Sequence, residues 1–271
     1  MKRFRVAAFV AACVCLVFPA AFASEGRPRI IKFDPAPAKI DFDSARTAVV
    51  VVDMQNDFCS PGGLLDRLGM DLSEIQRTIG PTARVLTSAR KAGLPIVYLK
   101  MAFKPDLSDL GREGSPNRMG HMRAGAGKTI SAPDGSTSRI LIRDTWDTDI
   151  IPALKSEPGD ILIYKSRFSG FVGTELDSVL KNLGVSQLIF TGATTSVCVE
   201  STIRDAMFLD YSCVLLSDCT AEPVGAELAR TNYDASLLIL QSRFGVAISN
   251  SDRFQEALRL RPEQNQGKPG Q

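Results

Sequence analysis

Three residues offer a nucleophile, a base and a cation: Cys198, Asp53 and Lys165. Asp53 closes the apolar, β-branched run Thr47-Ala-Val-Val-Val-Val and opens Asp53-Met-Gln-Asn-Asp-Phe58. A carboxylate at the end of a buried strand is costly unless it is neutral or paired with a cation. Lys165 follows Ile161-Leu-Ile-Tyr164 and begins Lys-Ser-Arg-Phe-Ser-Gly-Phe171. It too stands at the carboxyl end of an expected strand and can supply that cation. Cys198 lies in Thr191-Gly-Ala-Thr-Thr-Ser-Val-Cys198, after a strand and a turn of small residues, on the first turn of a helix expected over 197–209. Unpaired N–H groups and the positive end of the helix dipole favour a thiolate there. The same backbone donors can face a developing oxyanion. Taken singly, each residue has a plain alternative: a turn or cap for Asp53, a solvated amine for Lys165, a buried structural thiol for Cys198. Taken together, they fit nucleophilic catalysis in which the helix terminus and Lys165 stabilise the thiolate and Asp53 shuttles the proton.

Composition narrows the chemistry. The 271 residues contain a single histidine, His121. A zinc site built on two or three imidazoles cannot form within one chain, and a Ser-His-Asp or Cys-His arrangement would have to use His121 itself. His121 falls in a Gly-, Ser-, Pro- and Arg-rich stretch and reads as a surface or lid residue. No Cys-x-x-Cys occurs, which sets aside a thioredoxin-like redox role. A formal net charge of +2 gives no field to attract phosphates, so nucleic acid is not expected as a partner. A hydrophobic content of 44% excludes a collagen-like or disordered chain.

The elements that must position these residues follow from periodicity. Apolar runs predict strands at 47–53, 95–101, 160–164, 187–191, 213–217 and 246–248, and helical spacing predicts helices over 71–92, 176–183, 197–209, 226–240 and 251–260. Strands alternating with helices predict a doubly wound α/β domain over 46–261: a mostly parallel, six-stranded sheet with helices on both faces. In such sheets ligands bind outside the carboxyl ends of the strands, where Asp53, Lys165 and Cys198 all fall. Residues 104–139 show weak periodicity and read as a long functional excursion. Residues 24–45, with Pro28, Pro35 and Pro37, read as an irregular arm, and 262–271 as a polar tail. Lys2, Arg3 and Arg5, an apolar run from Val6 to Ala23 and the small-x-small Ala21-Phe22-Ala23 predict a signal peptide over 1–23. A membrane anchor is the alternative, which Pro19 and the small residues at the run's end oppose. The expected product is an exported protein, periplasmic or secreted, with no membrane contact after cleavage. Cleavage would remove three basic residues and bring the net charge to −1. Four cysteines would remain, and spacing alone allows a 213–219 bridge.

The residues now on view resemble the isochorismatase-like cysteine hydrolases from about Ala48 to Ser249. Within that family, Pro61-Gly-Gly-Leu-Leu-Asp66, Gly114-Ser-Pro-Asn117, Arg167-Phe-Ser-Gly-Phe171 and Cys198-Val-Glu-Ser-Thr-Ile-Arg-Asp205 look like ureidoacrylate amidohydrolases. Lys104-Pro-Asp-Leu-Ser-Asp-Leu110 is similar to biuret hydrolases. The resemblance implies hydrolysis of a C–N bond in a small ureido or carbamoyl amide, with no cofactor, often by a homo-oligomer. It implies Asp53 as general base and acid, Lys165 as the charged residue orienting it, and Cys198 as nucleophile. It also implies a cis peptide between Ala193 and Thr194, aiming the N–H groups of Thr194 and Cys198 at the oxyanion. The metal-binding relatives carry an Asp-x-His…His pattern where this chain has Met101-Ala-Phe-Lys-Pro-Asp, so no catalytic metal is expected. Phe58, Phe168 and Phe171 are candidate pocket walls, and Asn117, Arg167 and Gln241 candidate ligands for polar substrate ends. The same frame admits biuret, N-carbamoyl amino acids or nicotinamide-type amides as substrates. A non-catalytic exported binding module on a hydrolase-like scaffold is the alternative from another class.

Overall fold

The computed structural model describes residues 30–33 and 40–259. The signal peptide expected over 1–23 and the tail expected over 262–271 lie outside them. The strands are β1 (Ile30–Phe33), β2 (Ile40–Asp43), β3 (Thr47–Val52), β4 (Ile96–Met101), β5 (Thr129–Ser131), β6 (Thr137–Arg139), β7 (Ile161–Lys165), β8 (Gln187–Ala193), β9 (Ser212–Ala221) and β10 (Ala247–Ser249). The helices are α1 (Asn56–Cys59), α2 (Leu64–Arg67), α3 (Ser73–Ala92), α4 (Pro116–Ala124), α5 (Leu176–Asn182), α6 (Glu200–Phe208), α7 (Asn232–Phe244) and α8 (Ser251–Arg259).

Six strands form a parallel sheet in the order β10-β9-β8-β3-β4-β7. Every residue of β3 is buried. The two-residue alternation of a strand sends Val49 and Val51 to one face, where they meet Ile75, Val85, Leu86 and Ala89 of α3 and Phe254 and Ala257 of α8. It sends Ala48, Val50 and Val52 to the other, against Leu176 and Leu180 of α5, Ile203 and Ala206 of α6 and Leu240 of α7. Burial on both faces is why the run carries no polar alternation. Each valine so removed from water contributes roughly 1.5–3 kcal/mol, and a charge at Val51 would break the layer. The chain builds outward through β3, β4 and β7, then returns to the other flank of β3 with β8, β9 and β10. The reversal falls between β3 and β8, and the crevice of a doubly wound sheet opens there. This is the α/β architecture that the alternation of elements predicts.

Three local expectations change. Part of the arm is ordered into an antiparallel hairpin, with Ile30–Phe33 paired to Ile40–Asp43. The excursion contains α4 and the β5–β6 hairpin, and it builds a third core from Phe103, Leu110, Ala126, Ile140, Leu141 and Ile142. Its helix escaped periodicity because only His121 of its nine residues is buried. Capping chemistry defines it instead: Ser115 Oγ accepts the Arg118 N–H at 3.3 Å, Pro116 opens the helix, and Gly125 closes it at φ +103°. The helix expected over 226–240 starts at Asn232, because Thr231 caps it. Thr231 Oγ1 accepts the Asp234 N–H at 3.0 Å and donates to Asp234 Oδ2 at 2.7 Å. Cys59, Cys198, Cys213 and Cys219 are free and buried. Cys213 and Cys219 share β9, and six extended residues span about 20 Å, far beyond disulfide reach. Among the described residues, no helix is long and apolar enough to cross a membrane.

Candidate active site

Asp53 ends β3 in the left-handed region, at φ +52°. Such a backbone is uncommon for a side chain with a Cβ and costs of order 1 kcal/mol or more, so the surroundings must hold it. They do so through Met101 at the end of β4. The Met101 N–H donates to Asp53 Oδ1 at 2.9 Å, and Gln55 Nε2 donates to the Met101 carbonyl at 2.9 Å. The Asp53-x-Gln55 spacing thus engages both backbone groups of one residue. Lys165 stands beside Met101 in the β4–β7 register. Its Nζ lies 2.7 Å from Asp53 Oδ2, with both side chains wholly buried, and it also donates to the Arg167 carbonyl at 3.3 Å. Cys198 is close enough to both Asp53 and Lys165 for each to act on its thiol. The three residues proposed from sequence therefore converge.

Their charge states are set by burial and by one another. Burial pushes the Asp53 carboxyl above its ordinary range, against the opposing pull of Lys165 and of hydrogen bonds from Lys165, Cys198 and Met101. Burial works against the Lys165 ammonium, yet Asp53 and Cys198 outweigh it and hold the amine above its ordinary value. Burial pushes the Cys198 thiol up, and the Lys165 charge only partly offsets this. Lost hydration there exceeds what a nearby cation returns. Cys198 also lies outside the first turn of α6. It sits within a wide turn over Thr195–Val199, where the Val199 N–H reaches back five residues to the Thr194 carbonyl at 3.2 Å.

Several residues that sequence reasoning missed fix this turn. Gly192 has φ +119°, and a Cβ there would lie 2.0 Å from the Val52 carbonyl oxygen, so β8 can approach β3 only with glycine. The Ala193–Thr194 peptide is cis, at the position the resemblance implied. Thr195 and Thr220 share a hydroxyl hydrogen bond of 2.8 Å. Ser196 donates its N–H and its hydroxyl to Glu222 Oε2, at 2.9 and 2.5 Å. Thr202 Oγ1 donates to the Cys198 carbonyl at 2.7 Å and accepts the Gly170 N–H at 3.0 Å, linking the turn to the loop after Lys165. Glu222 lacks the sequence signal that singles out Asp53: the expected strand ends at Ser217, and only the longer β9, which runs to Ala221, puts this carboxylate at a strand's carboxyl end.

A second buried acid belongs to the same motif. Asp57 accepts the Leu64 N–H at Oδ1 (3.2 Å) and the Leu141 N–H at Oδ2 (3.0 Å). Leu141 is left-handed at φ +56°, so this bond pins a conformation an aliphatic residue resists. Burial, then the adjacent carboxylate of Asp147, pushes Asp57 well above its ordinary range. Ser138 Oγ in turn donates to Asp147 Oδ2.

The candidate binding residues divide. Asn117 Nδ2 donates to the carbonyls of Leu110 (2.8 Å) and Ser166 (3.3 Å), and Arg167 donates from one guanidinium nitrogen to those of Asp109 (3.0 Å) and Ser166 (2.6 Å). Both tie the excursion to the loop after β7. Phe58 is half-buried between two of the cores, and Phe168 is 45% exposed. Phe171 packs on Tyr211, with ring centres 5.7 Å apart, against the core that contains Cys198. Gln241 is half-buried on α7. His121, expected at the surface or in a lid, is buried on α4 between Phe103 and Phe168. Among the described residues, no group of three or more His, Cys, Asp or Glu is placed to hold a metal ion.

Comparison with known proteins adds an independent line. The family model for the isochorismatase domain matches residues 47–252. Ureidoacrylate amidohydrolase RutB of Methylobacterium radiotolerans is 38% identical over 241 residues, covering 89% of this chain and 90% of its own length. Its counterpart from Caulobacter segnis is 37% identical over 225 residues, covering 83% and 91%. The crystal structure of a cysteine hydrolase from Pseudomonas syringae pv. phaseolicola superposes with a TM-score of 0.67 at 29% identity, over 80% of this chain and 94% of that one.

Proposed function

The chain belongs to the isochorismatase family, and from that premise we propose a cysteine-dependent amidohydrolase acting on a small ureido or carbamoyl amide of the ureidoacrylate type. One observation carries the reading: a buried thiol beside a wholly buried carboxylate–ammonium pair, at the carboxyl ends of β8, β3 and β7 of one parallel sheet. Burial favours the neutral thiol at Cys198, so a base must act as the attack begins. Asp53 takes the Sγ proton while Sγ bonds to the substrate carbonyl carbon. Its raised pKa suits it to receive that proton, and Lys165 stays charged beside it and holds its carboxylate in place. The N–H groups of Thr194 and Cys198 receive the oxyanion. As the C–N bond breaks, Asp53 returns the proton to the departing nitrogen. Water, deprotonated by Asp53, then attacks the thioester carbonyl. The acid leaves and Sγ recovers its proton.

The similarity to ureidoacrylate amidohydrolases over most of both chains supports the ureido substrate class. Ammonia release from ureidoacrylate, biuret, N-carbamoyl amino acids and nicotinamide tests it. The wild type is expected to favour a ureido or carbamoyl amide, and Cys198→Ala to lose turnover of every amide. Undiminished activity in Cys198→Ala would refute the mechanism. The proposal includes export, on the strength of the basic, apolar and small-residue segments of 1–23. A mature amino terminus at Ser24, read by mass spectrometry of the cell envelope fraction, is the expected result.

A further inference from the structure

His121 is the chain's single imidazole, and the mechanism above does not use it. Its ring is 8% exposed and stands between Phe103, at 5.1 Å edge-on, and Phe168, at 5.4 Å. Both rings come from the ends of site-bearing strands: Phe103 follows Met101 by two residues, and Phe168 follows Lys165 by three. Asn117, one turn before His121 on α4, anchors the helix to the Ser166 carbonyl, next to Lys165. The imidazole is therefore carried on a helix fixed to the loop that follows Lys165, within electrostatic reach of Lys165 and Asp53.

Its tautomer follows from one contact. Nδ1 lies 2.8 Å from the Asn117 carbonyl oxygen. A carbonyl only accepts, so Nδ1 carries the proton, and in the neutral ring Nε2 is an acceptor. Nε2 has no hydrogen-bond partner among the described residues. Asn117 and Arg167, the polar neighbours, already donate to backbone carbonyls. Phe103 and Phe168 flank the ring, Lys165 and Arg167 are cations that act on it, and Asp53 an anion. A substrate brought to this group would meet those cations and, in His121 Nε2, a neutral acceptor.

We propose that His121 Nε2 accepts an N–H from the terminal carbamoyl or ureido group of the substrate and so determines specificity for amides bearing that group. The inference rests on the function proposed above and names a recognition element for it. Burial, together with Lys165 and Arg167, keeps the imidazole neutral below its ordinary titration range, against the Asn117 bond and Asp53. Acid then protonates Nε2, removes the acceptor and adds a third cation. Binding of a neutral N–H donor must weaken.

The test is kcat and KM against pH from 4.5 to 8.5 for wild type, His121→Leu and His121→Gln, on whichever of ureidoacrylate, biuret and N-carbamoyl-β-alanine the wild type hydrolyses fastest. Wild-type KM should rise on the acid side. His121→Leu should raise KM about tenfold or more at pH 7.5, with kcat within a factor of three and no further rise in acid. A glutamine keeps an acceptor without a titrating ring, so His121→Gln should stay near wild-type KM at pH 7.5 and lose the acid-side rise. A KM unchanged in folded His121→Leu, or an acid-side rise retained in His121→Gln, overturns the assignment while leaving the Cys198 mechanism intact. If His121→Leu fails to fold, the glutamine profile alone decides. Absence of wild-type turnover on all three amides overturns the substrate class and the histidine's role together.

Discussion

Replacing Lys165 by methionine keeps the volume near the sheet and removes the ammonium that faces Asp53 at 2.7 Å. At that separation and an effective dielectric of about 20, the attraction lost is about 6 kcal/mol. The hydration that the lysine no longer sacrifices offsets part of it, and removal of one partner of a buried pair costs about 3–5 kcal/mol in practice. Asp53 would keep the hydrogen bond from the Met101 N–H and the pull of Cys198. It would relieve the rest by protonation. At 1.36 kcal/mol per pKa unit, a cost of about 3–5 kcal/mol corresponds to a rise of about 2–4 units beyond the position burial already gives it. The sign follows. A carboxyl whose folded pKa exceeds its unfolded value stabilises the fold most in acid and loses that stability as pH rises through the folded pKa. Lys165→Met should thus lie close to wild type near pH 4.5 and fall behind by about 3–5 kcal/mol by pH 8. Urea unfolding across that range measures the gap. Asp53→Asn in the same background should recover most of it, and the double-mutant cycle should return a coupling above about 2 kcal/mol. A pH-independent loss below about 1 kcal/mol, or additive single effects, would show that the two groups do not depend on each other.

Two further perturbations probe the supports of the site. Burial and Asp147 raise Asp57, so its contribution to stability fades as pH climbs through the raised value. Asp57→Asn cannot titrate, and its melting temperature should fall less steeply than that of wild type between pH 4.5 and 8; equal slopes would contradict the buried acid pair. Gly192→Ala places a methyl 2.0 Å from the Val52 oxygen at φ +119°. It should cost more than about 2 kcal/mol and lower the soluble yield, and a melting temperature unchanged from wild type would refute the close approach of β8 to β3.

Signals carried within one segment read well from the sequence, and those made between segments did not. The valine run of β3, the apolar face of α3 and the turn before Cys198 each announce themselves within a single segment of about twenty residues or fewer, and those suffice for the parallel sheet. Asp53, Lys165 and Cys198 were found because each stands at a strand's carboxyl end, and a doubly wound sheet sends all such ends to one edge. Asn117 and Arg167 are polar residues near that edge, and sequence offered them as substrate ligands. In the fold they donate to Leu110, Ser166 and Asp109, because the excursion needs its carbonyls satisfied where it crosses the loop after β7. Glu222 binds a turn 26 residues away, and nothing in its own neighbourhood points to Ser196. His121 shows the limit most clearly. A lone histidine among glycines and arginines carries no periodicity, and its burial depends on Phe103 and Phe168, contributed by two different strands. Composition sets aside chemistry that needs several imidazoles within one chain. The one imidazole present comes within electrostatic reach of Asp53 and Lys165, because α4 is fixed to the residue that follows Lys165, and the helix carries the ring there whatever its local sequence suggests.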